Sequence, residues 1–186
     1  MSVLPIVTYD DPVLRQPSAP VNENSEDLQI LISDLFETMY NSNGVGLAAP
    51  QIGQSVRLFV MDADAITSEL DDEEDLGPMV MINPEIEELS GDKVKMEEGC
   101  LSIPDLRDEI ARPDIVTVSY LDRDFNPKKI TAGGWVSRVI QHEYDHLQGV
   151  LFTDKVAPLK KRMLRNKLNA IAKGKFEVSY KVKVAK

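Results

Sequence analysis

The chain has 186 residues, of which 42% are hydrophobic and 28% charged. These are globular values at a length that buries a real core, and they argue against global disorder and against a membrane protein. No apolar run approaches the roughly 20 residues of a spanning helix. A single cysteine cannot form an intrachain disulfide, which agrees with a reducing compartment. The start Met1-Ser2-Val3-Leu4-Pro5 lacks the basic and apolar regions of a secretion signal, so a cytoplasmic protein is expected.

The formal net charge of −10 is uneven. Residues 155–186 carry eleven Lys and Arg against one acid, Glu177, whereas residues 1–154 carry ten against thirty. Such a tail either balances the acidic body or meets a polyanion, and balance is the simpler expectation.

In chain order, an extended start through Pro5, Pro12, Pro17 and Pro20 leads to Ser25, an N-cap followed by Glu26 and Asp27 at the positive helix end. Leu28, Leu31, Ile32, Leu35, Phe36 and Met39 recur at helical spacing, and Asn41-Ser42-Asn43-Gly44 stops the helix. Val56 to Met61 reads as a strand. Residues 62–78 hold Glu69, Asp71, Asp72, Glu73, Glu74 and Asp75, and read as a solvated acidic loop without the spacing of a calcium-binding EF-hand. Met79 to Ile82, Lys93 to Met96, Ile115 to Leu121 and Lys128 to Thr131 read as strands, the last two joined over residues 122–127 as a hairpin. Gly133-Gly134 opens a helix from Trp135 to Leu147, with Gly149 as its stop. Leu159 to Ala172 predicts a C-terminal helix with Met163, Leu164, Leu168 and Ile171 inward. Residues 176–184 alternate like a final strand. With no repeat and no linker, one domain over 1–186 is expected. Its class is α+β, antiparallel strands packed around a central metal-binding helix, with a C-terminal helix.

The central helix carries Gln141-His142-Glu143-Tyr144-Asp145-His146-Leu147. Histidines four apart on a helix share a face, so both imidazoles can reach one ion. Glu143, beside the first of them, can take a proton from water at an open metal position. The stripe Val136, Val139, Ile140, Glu143 and Leu147 faces the core, where an unpartnered carboxylate is costly and a cation removes the cost. His142 and His146 are the protein's only histidines, which weighs against chance spacing. A catalytic site of this kind wants three protein ligands. Cys100 is the one remaining soft donor; Asp154 or Glu98 are oxygen alternatives, and spacing alone does not choose.

Three segments together resemble the peptide deformylases: Gly44-Val45-Gly46-Leu47-Ala48-Ala49-Pro50-Gln51, Glu98-Gly99-Cys100-Leu101-Ser102, and the His142-to-His146 helix. The resemblance covers most of the chain. It implies an enzyme that removes formate from the N-formyl-methionine of nascent polypeptides, with Cys100, His142 and His146 as metal ligands. It implies an oxyanion hole from the Gln51 side-chain amide and the Leu101 N–H, and substrate contacts from Val45, Gly46, Glu98, Gly99 and Arg107. Arg107 is expected to pair with Glu98 or another acid nearby. Trp135 and Arg138, within two turns before the histidines, fall where the family varies. The metal implied is one divalent ion, Fe²⁺ in vivo, with Zn²⁺ or Ni²⁺ also able to occupy N and S donors.

The expected chemistry is hydrolysis, with Glu143 taking a proton from a metal-acidified water and returning it to the departing amine. A zinc endopeptidase shares the helix but takes its third ligand from a carboxylate or another His. A zinc-stabilised binding module needs a closed fourth position. The resemblance also offers the basic helix a ribosomal partner, through Lys160, Lys161, Arg162, Arg165 and Lys167 on rRNA phosphates. No membrane or DNA partner is expected.

Overall fold

An extended segment, β1 (Ile6–Val7), precedes the first helix, α1 (Glu26–Asn41); the computed structural model describes residues 2–70 and 75–185. The Ser25 hydroxyl accepts from the Leu28 N–H at 3.2 Å, capping α1 as its sequence predicts. Leu28, Ile32, Leu35 and Met39 are buried, with Leu31 and Phe36 packed at the margin of the same cluster. Beyond the helix, Asn43 takes a left-handed φ of 52° and turns the chain into the site loop.

Five strands form an antiparallel sheet in sequence order: β2 (Gly46–Ala48), β3 (Leu58–Met61), β4 (Met79–Cys100), β5 (Ile103–Leu121) and β6 (Pro127–Ala132). β4 and β5 are much longer than their expected pieces. The sequence hides them because Pro84, Gly91, Pro113 and a run of acids interrupt the alternation. The two strands absorb these residues through register shifts, and much of β4 past Glu85 is exposed on both faces, so no alternating hydrophobic pattern marks it. The β5–β6 hairpin forms as expected, its turn closed by the Asp122 carboxylate accepting from the Asp124 and Asn126 N–H groups at 2.9 Å.

Between β3 and β4 the acidic segment is not wholly loop. A short helix, α2 (Asp64–Thr67), lies within it. The Asp64 carboxylate accepts from the Leu76 and Gly77 N–H groups at 3.0 Å, and the Thr67 hydroxyl donates to Asp75 at 2.7 Å. Asp71, Asp72, Glu73 and Glu74 lie outside the described residues.

The helix α3 (Gly134–Leu147) crosses the sheet. Val136, Val139, Ile140 and Leu147 are buried against Phe59, Met61, Met81, Val116 and Val118, as the stripe predicts. Gly149, with φ of 73°, ends it at a close crossing, for a Cβ there would stand 2.7 Å from the Arg15 carbonyl carbon.

The C-terminal helix α4 (Pro158–Ala172) packs through Leu164, Leu168 and Ile171. Met163 was expected inward but is 74% exposed. One residue is 100° of helix, so the stripe that seats Leu164 turns Met163 out to solvent. The basic segment is partly balanced in cis: Lys155 pairs with Asp145 at 3.2 Å and Lys161 with Asp154 at 3.3 Å, and Lys160 pairs with Asp108. The expected final strand shrinks to β7 (Val182–Lys183), which pairs in parallel with β1. Among the described residues no helix is long and apolar enough to cross a membrane.

Candidate metal centre and active site

Three elements converge under α3. His142 and His146 lie one turn apart with ring centroids 5.1 Å from each other. Cys100 ends β4 and pairs with Ile103 across the turn Leu101–Ser102, which carries its Sγ to 3.3 Å from the His146 Nε2. One ligand atom from each of Cys100, His142 and His146 lies within 4.8 Å of the others. Donors 2.0–2.3 Å from a tetrahedral ion stand roughly 3.5 Å apart, so the spacing suits a single ion. The oxygen alternatives are committed elsewhere. Asp154 binds Arg15 at 2.6 Å and accepts from the Leu151 N–H at 2.9 Å.

Glu98 is 4% exposed and fully engaged behind His142. Arg112 grips it with both arms, Nε to Oε1 at 2.6 Å and Nη2 to Oε2 at 2.8 Å. Arg138 adds Nη1 to Oε1 at 2.8 Å, and the His142 Nδ1 lies 2.9 Å from Oε2. Burial alone would raise the Glu98 pKa. The hydrogen bonds from Arg112 and His142 outweigh it and hold the carboxyl well below the usual range. An ionised carboxylate only accepts, so Nδ1 carries the proton and Nε2 is left to face the other donors. Arg112 also binds Asp145 at 2.6 Å.

Sequence reasoning missed Arg112. Its signal was alternation within β5, where Leu106, Asp108, Ile110 and Arg112 are buried while Arg107, Glu109 and Ala111 are exposed. A charge on the inward side of such a pattern requires a buried partner.

Glu143 is 4% exposed, and among the described residues its Oε2 has no hydrogen-bond partner. Burial pushes its pKa up to about 7, within reach of proton exchange at neutral pH. Burial and the neighbouring His142 hold His146 well below its usual value, hence neutral. A neutral imidazole and an orphaned carboxylate oxygen both suit a nearby cation.

Gly46 faces the Glu143 carboxylate so closely that an added Cβ would fall 2.5 Å from Oε1. Gln51 is buried, and its Oε1 accepts from the Ala48 N–H at 2.8 Å. That bond turns the amide NH₂ toward the Cys100 Sγ at 3.4 Å and the Ser102 Oγ at 3.5 Å. A cleft of about 800 Å³ opens over these groups, with Val45, Gly46, Gly99 and Leu101 in its walls. Trp135 and Arg138 line it as well. The Arg138 guanidinium, however, is turned away to Glu98 and to the carbonyls of Ile110 and Val94, at 2.8 and 2.7 Å.

Arg107 reaches the cleft rim across Gly99. Of the two partners expected for it, the nearby acid is Glu97, at 3.6 Å, with both side chains mostly exposed. Strand parity explains why Glu98 is not the partner: Glu98 lies opposite Asp108 in the ladder, on the buried face that Arg107 does not share.

This geometry has close counterparts. The family model described as polypeptide deformylase matches residues 3–162. The peptide deformylase of Salinibacter ruber is 49% identical over 181 residues, covering 96% of this chain and 93% of that protein. That of Christiangramia forsetii is 44% identical, covering 97% and 95%. Among solved structures, a peptide deformylase from Legionella pneumophila superposes with a TM-score of 0.80 at 44% identity, covering 92% of this chain and 96% of its own. One from Ehrlichia chaffeensis gives 0.84 at 38% identity, covering 93% and 98%. With its length matched almost end to end and a Cys-His-His cluster beside a buried glutamate, the chain belongs to the peptide deformylase family.

Proposed function

We propose a division of labour among this chain's residues for the reaction of its family. The chain is a metal-dependent hydrolase that removes the formyl group from N-formyl-methionine of nascent polypeptides. Cys100, His142 and His146 hold one divalent ion, and Glu143 is the general base. The observation that carries this reading is the buried Glu143 carboxylate, whose Oε2 has no hydrogen-bond partner among the described residues, beside three gathered donor atoms.

When bound, the ion supplies Lewis acidity that brings the pKa of a water toward neutrality and polarises a carbonyl. Glu143, with a pKa raised to about 7, takes the proton from the attacking water and returns it to the amine nitrogen as formate leaves. The Gln51 amide, oriented by Ala48, and the Leu101 N–H stabilise the charge that develops on the formyl oxygen. Glu98 keeps the His142 ring aimed. Val45, Gly46 and Gly99 bound the substrate groove, Glu98 supports its wall from behind, and Arg107 offers a cation at the rim.

For the ion, Fe²⁺ is proposed in vivo, with Zn²⁺ or Ni²⁺ able to take its place. The thiolate and two imidazoles support a transition metal over Mg²⁺ or Ca²⁺. Formate release from formyl-Met peptides by protein loaded anaerobically with Fe²⁺ or Ni²⁺ is the direct test. Glu143→Gln should keep its metal and lose turnover by at least about a hundredfold, and near-normal activity in that variant would sink the assignment of base.

A cytoplasmic location and a ribosomal partner for α4 belong to the same reading. Among the described residues Arg162 and Arg165 make no ion pair, and Leu159 and Met163 beside them are 73% and 74% exposed. Lys160, Lys161 and Lys167 are engaged with the body, so the two arginines are the groups favoured for rRNA phosphates. Cosedimentation with ribosomes that falls as salt rises and disappears on deleting residues 158–186 supports this. Salt-insensitive cosedimentation argues against it.

A further inference from the structure

The tail beyond α4 alternates for a reason other than sheet pairing. Phe176, Val178 and Tyr180 are half-buried, while Lys175 before them and Glu177 and Ser179 between them are exposed. The inward three go to different places. Phe176 packs with the cluster under α4, Val178 lies in the cleft wall, and Tyr180 borders the cleft while packing on the cluster of α1. The Tyr180 hydroxyl then donates to the Leu101 carbonyl at 2.8 Å.

We propose that residues 176–183 are a strap belonging to the active site, in which Tyr180 positions the Leu101 backbone and Val178 walls the peptide groove. The proposal rests on the reading above, in which the Leu101 N–H faces the formyl oxygen.

The turn that carries Leu101 needs outside support. The ladder between β4 and β5 shifts register between Gly99 and Cys100, so regular pairing breaks down next to the residue whose orientation matters most. Two anchors stand in for it, both from the chain termini. Tyr180 holds the Leu101 carbonyl, and the Tyr9 N–H donates to the next carbonyl, that of Ser102, at 2.9 Å. The termini are in turn fastened together, Ile6 N–H to the Lys181 carbonyl at 2.9 Å and Thr8 N–H to the Lys183 carbonyl at 3.2 Å. Holding the Leu101 and Ser102 carbonyls fixes the two peptide planes that follow the Leu101 Cα, and leaves only ψ and φ of Leu101 between that anchored backbone and its N–H. An oxyanion donor is useful only when it is aimed before charge develops. Burial, with the charges of Cys100 and Asp105, pushes the phenol pKa up to about 12, so the hydroxyl remains a donor at any pH used for assay.

The test uses full-length, metal-loaded protein and a formyl-Met tripeptide. Tyr180→Phe removes one oxygen and keeps the ring that packs on the core. Its kcat should fall roughly three- to tenfold, with KM moved less than about twofold. Amide hydrogen exchange at Leu101 and Ser102 should quicken while metal content stays stoichiometric. Val178→Ala should show the opposite split, a raised KM with kcat kept. A Tyr180→Phe enzyme with wild-type kcat and unchanged exchange at Leu101 overturns the proposal, as does a kcat that falls only in step with lost metal or lost folded protein. Wild-type protein that releases no formate overturns the reaction reading instead. Exchange at Leu101 in the variant still decides whether the strap holds the turn.

Discussion

Gly46→Ala is a one-carbon change aimed at the proposed base. The added Cβ would stand 2.5 Å from the Glu143 Oε1, 2.8 Å from its Cγ and 2.9 Å from its Cδ, about 1 Å inside ordinary contact. Neither partner can yield easily. Gly46 is paired with Met61 in β2, and Glu143 is held on α3 at 4% exposure. The carboxylate must therefore shift by about 1 Å, at an overpacking cost of about 1–3 kcal/mol. A misplacement of that size at a reacting group costs on the order of a hundredfold in rate. None of the three proposed metal ligands is touched, so kcat for formate release should drop about a hundredfold with metal content unchanged. Gly44→Ala is the control, because its one tight contact would be the Leu101 Cδ1 at 2.9 Å, the far end of a flexible side chain, with the Gly46 carbonyl oxygen and the Met39 Cγ at an ordinary 3.5 Å. Steady-state formate release, metal content and thermal melting of the two variants decide the matter. A Gly46→Ala enzyme within about twofold of wild type would refute the placement of Glu143 at the reacting centre.

Cys100→Ser should lose stoichiometric metal on dialysis, since the hydroxyl stays protonated where the thiol ionises; metal retained at one equivalent would return the third ligand to a carboxylate. Arg112→Met leaves the buried Glu98 and the half-buried Asp145 with fewer partners and should cost about 3 kcal/mol in urea unfolding, the low end for a broken buried pair because Arg138 remains on Glu98 and Lys155 on Asp145. The Glu98 pKa is depressed, so this contribution is present above the unfolded value near 4.5 and is lost only as pH falls well below it. A variant as stable as wild type at pH 6 would contradict that. For metal-free protein the Glu143 sign is opposite. Its folded pKa, raised to about 7, gives stability that is full below about 4.5 and is lost as pH rises through 7. Urea unfolding of metal-free Glu143→Gln against wild type should therefore shift in favour of the variant by roughly 3 kcal/mol between pH 4 and pH 8, and a pH-independent difference would refute the burial argument.

The long helices α1 and α3 were legible because each is amphipathic over several turns, so Leu28 to Met39 and Val136 to Leu147 point to their buried faces without help from elsewhere, whereas the four-residue α2 is too short to show such a face. The histidine pair and Glu143 were legible for the same reason, being local to one helix. The long arm of β4 was not, because past Glu85 it meets solvent on both faces and has no apolar alternation to read, and the alternation of β5 is masked by Asp108 and Arg112 on its buried side. Arg112 and Tyr180 escaped for a further reason. Their partners lie 14 and 79 residues away, and nothing in the local sequence encodes a contact of that range. Parity narrowed the field without settling it, since it puts Arg112 inward and Arg107 outward but names neither partner.

Charge accounting under these roles joins the local and distant parts of the site. The buried Glu98 and the half-buried Asp145 face the buried Arg112 and Arg138, with Lys155 also on Asp145. The proposed centre in front of them sets the Cys100 thiolate and the Glu143 carboxylate against one divalent cation. The opposite charges within each group offset one another, and His142 links the two through its Nδ1 on Glu98. Glu143 is then the group whose balance depends on the ion. Without it, burial raises its pKa to about 7 and the carboxylate takes up a proton near neutrality. A base poised there by burial, and kept ionised by the cation it serves, can accept and release a proton within one turnover.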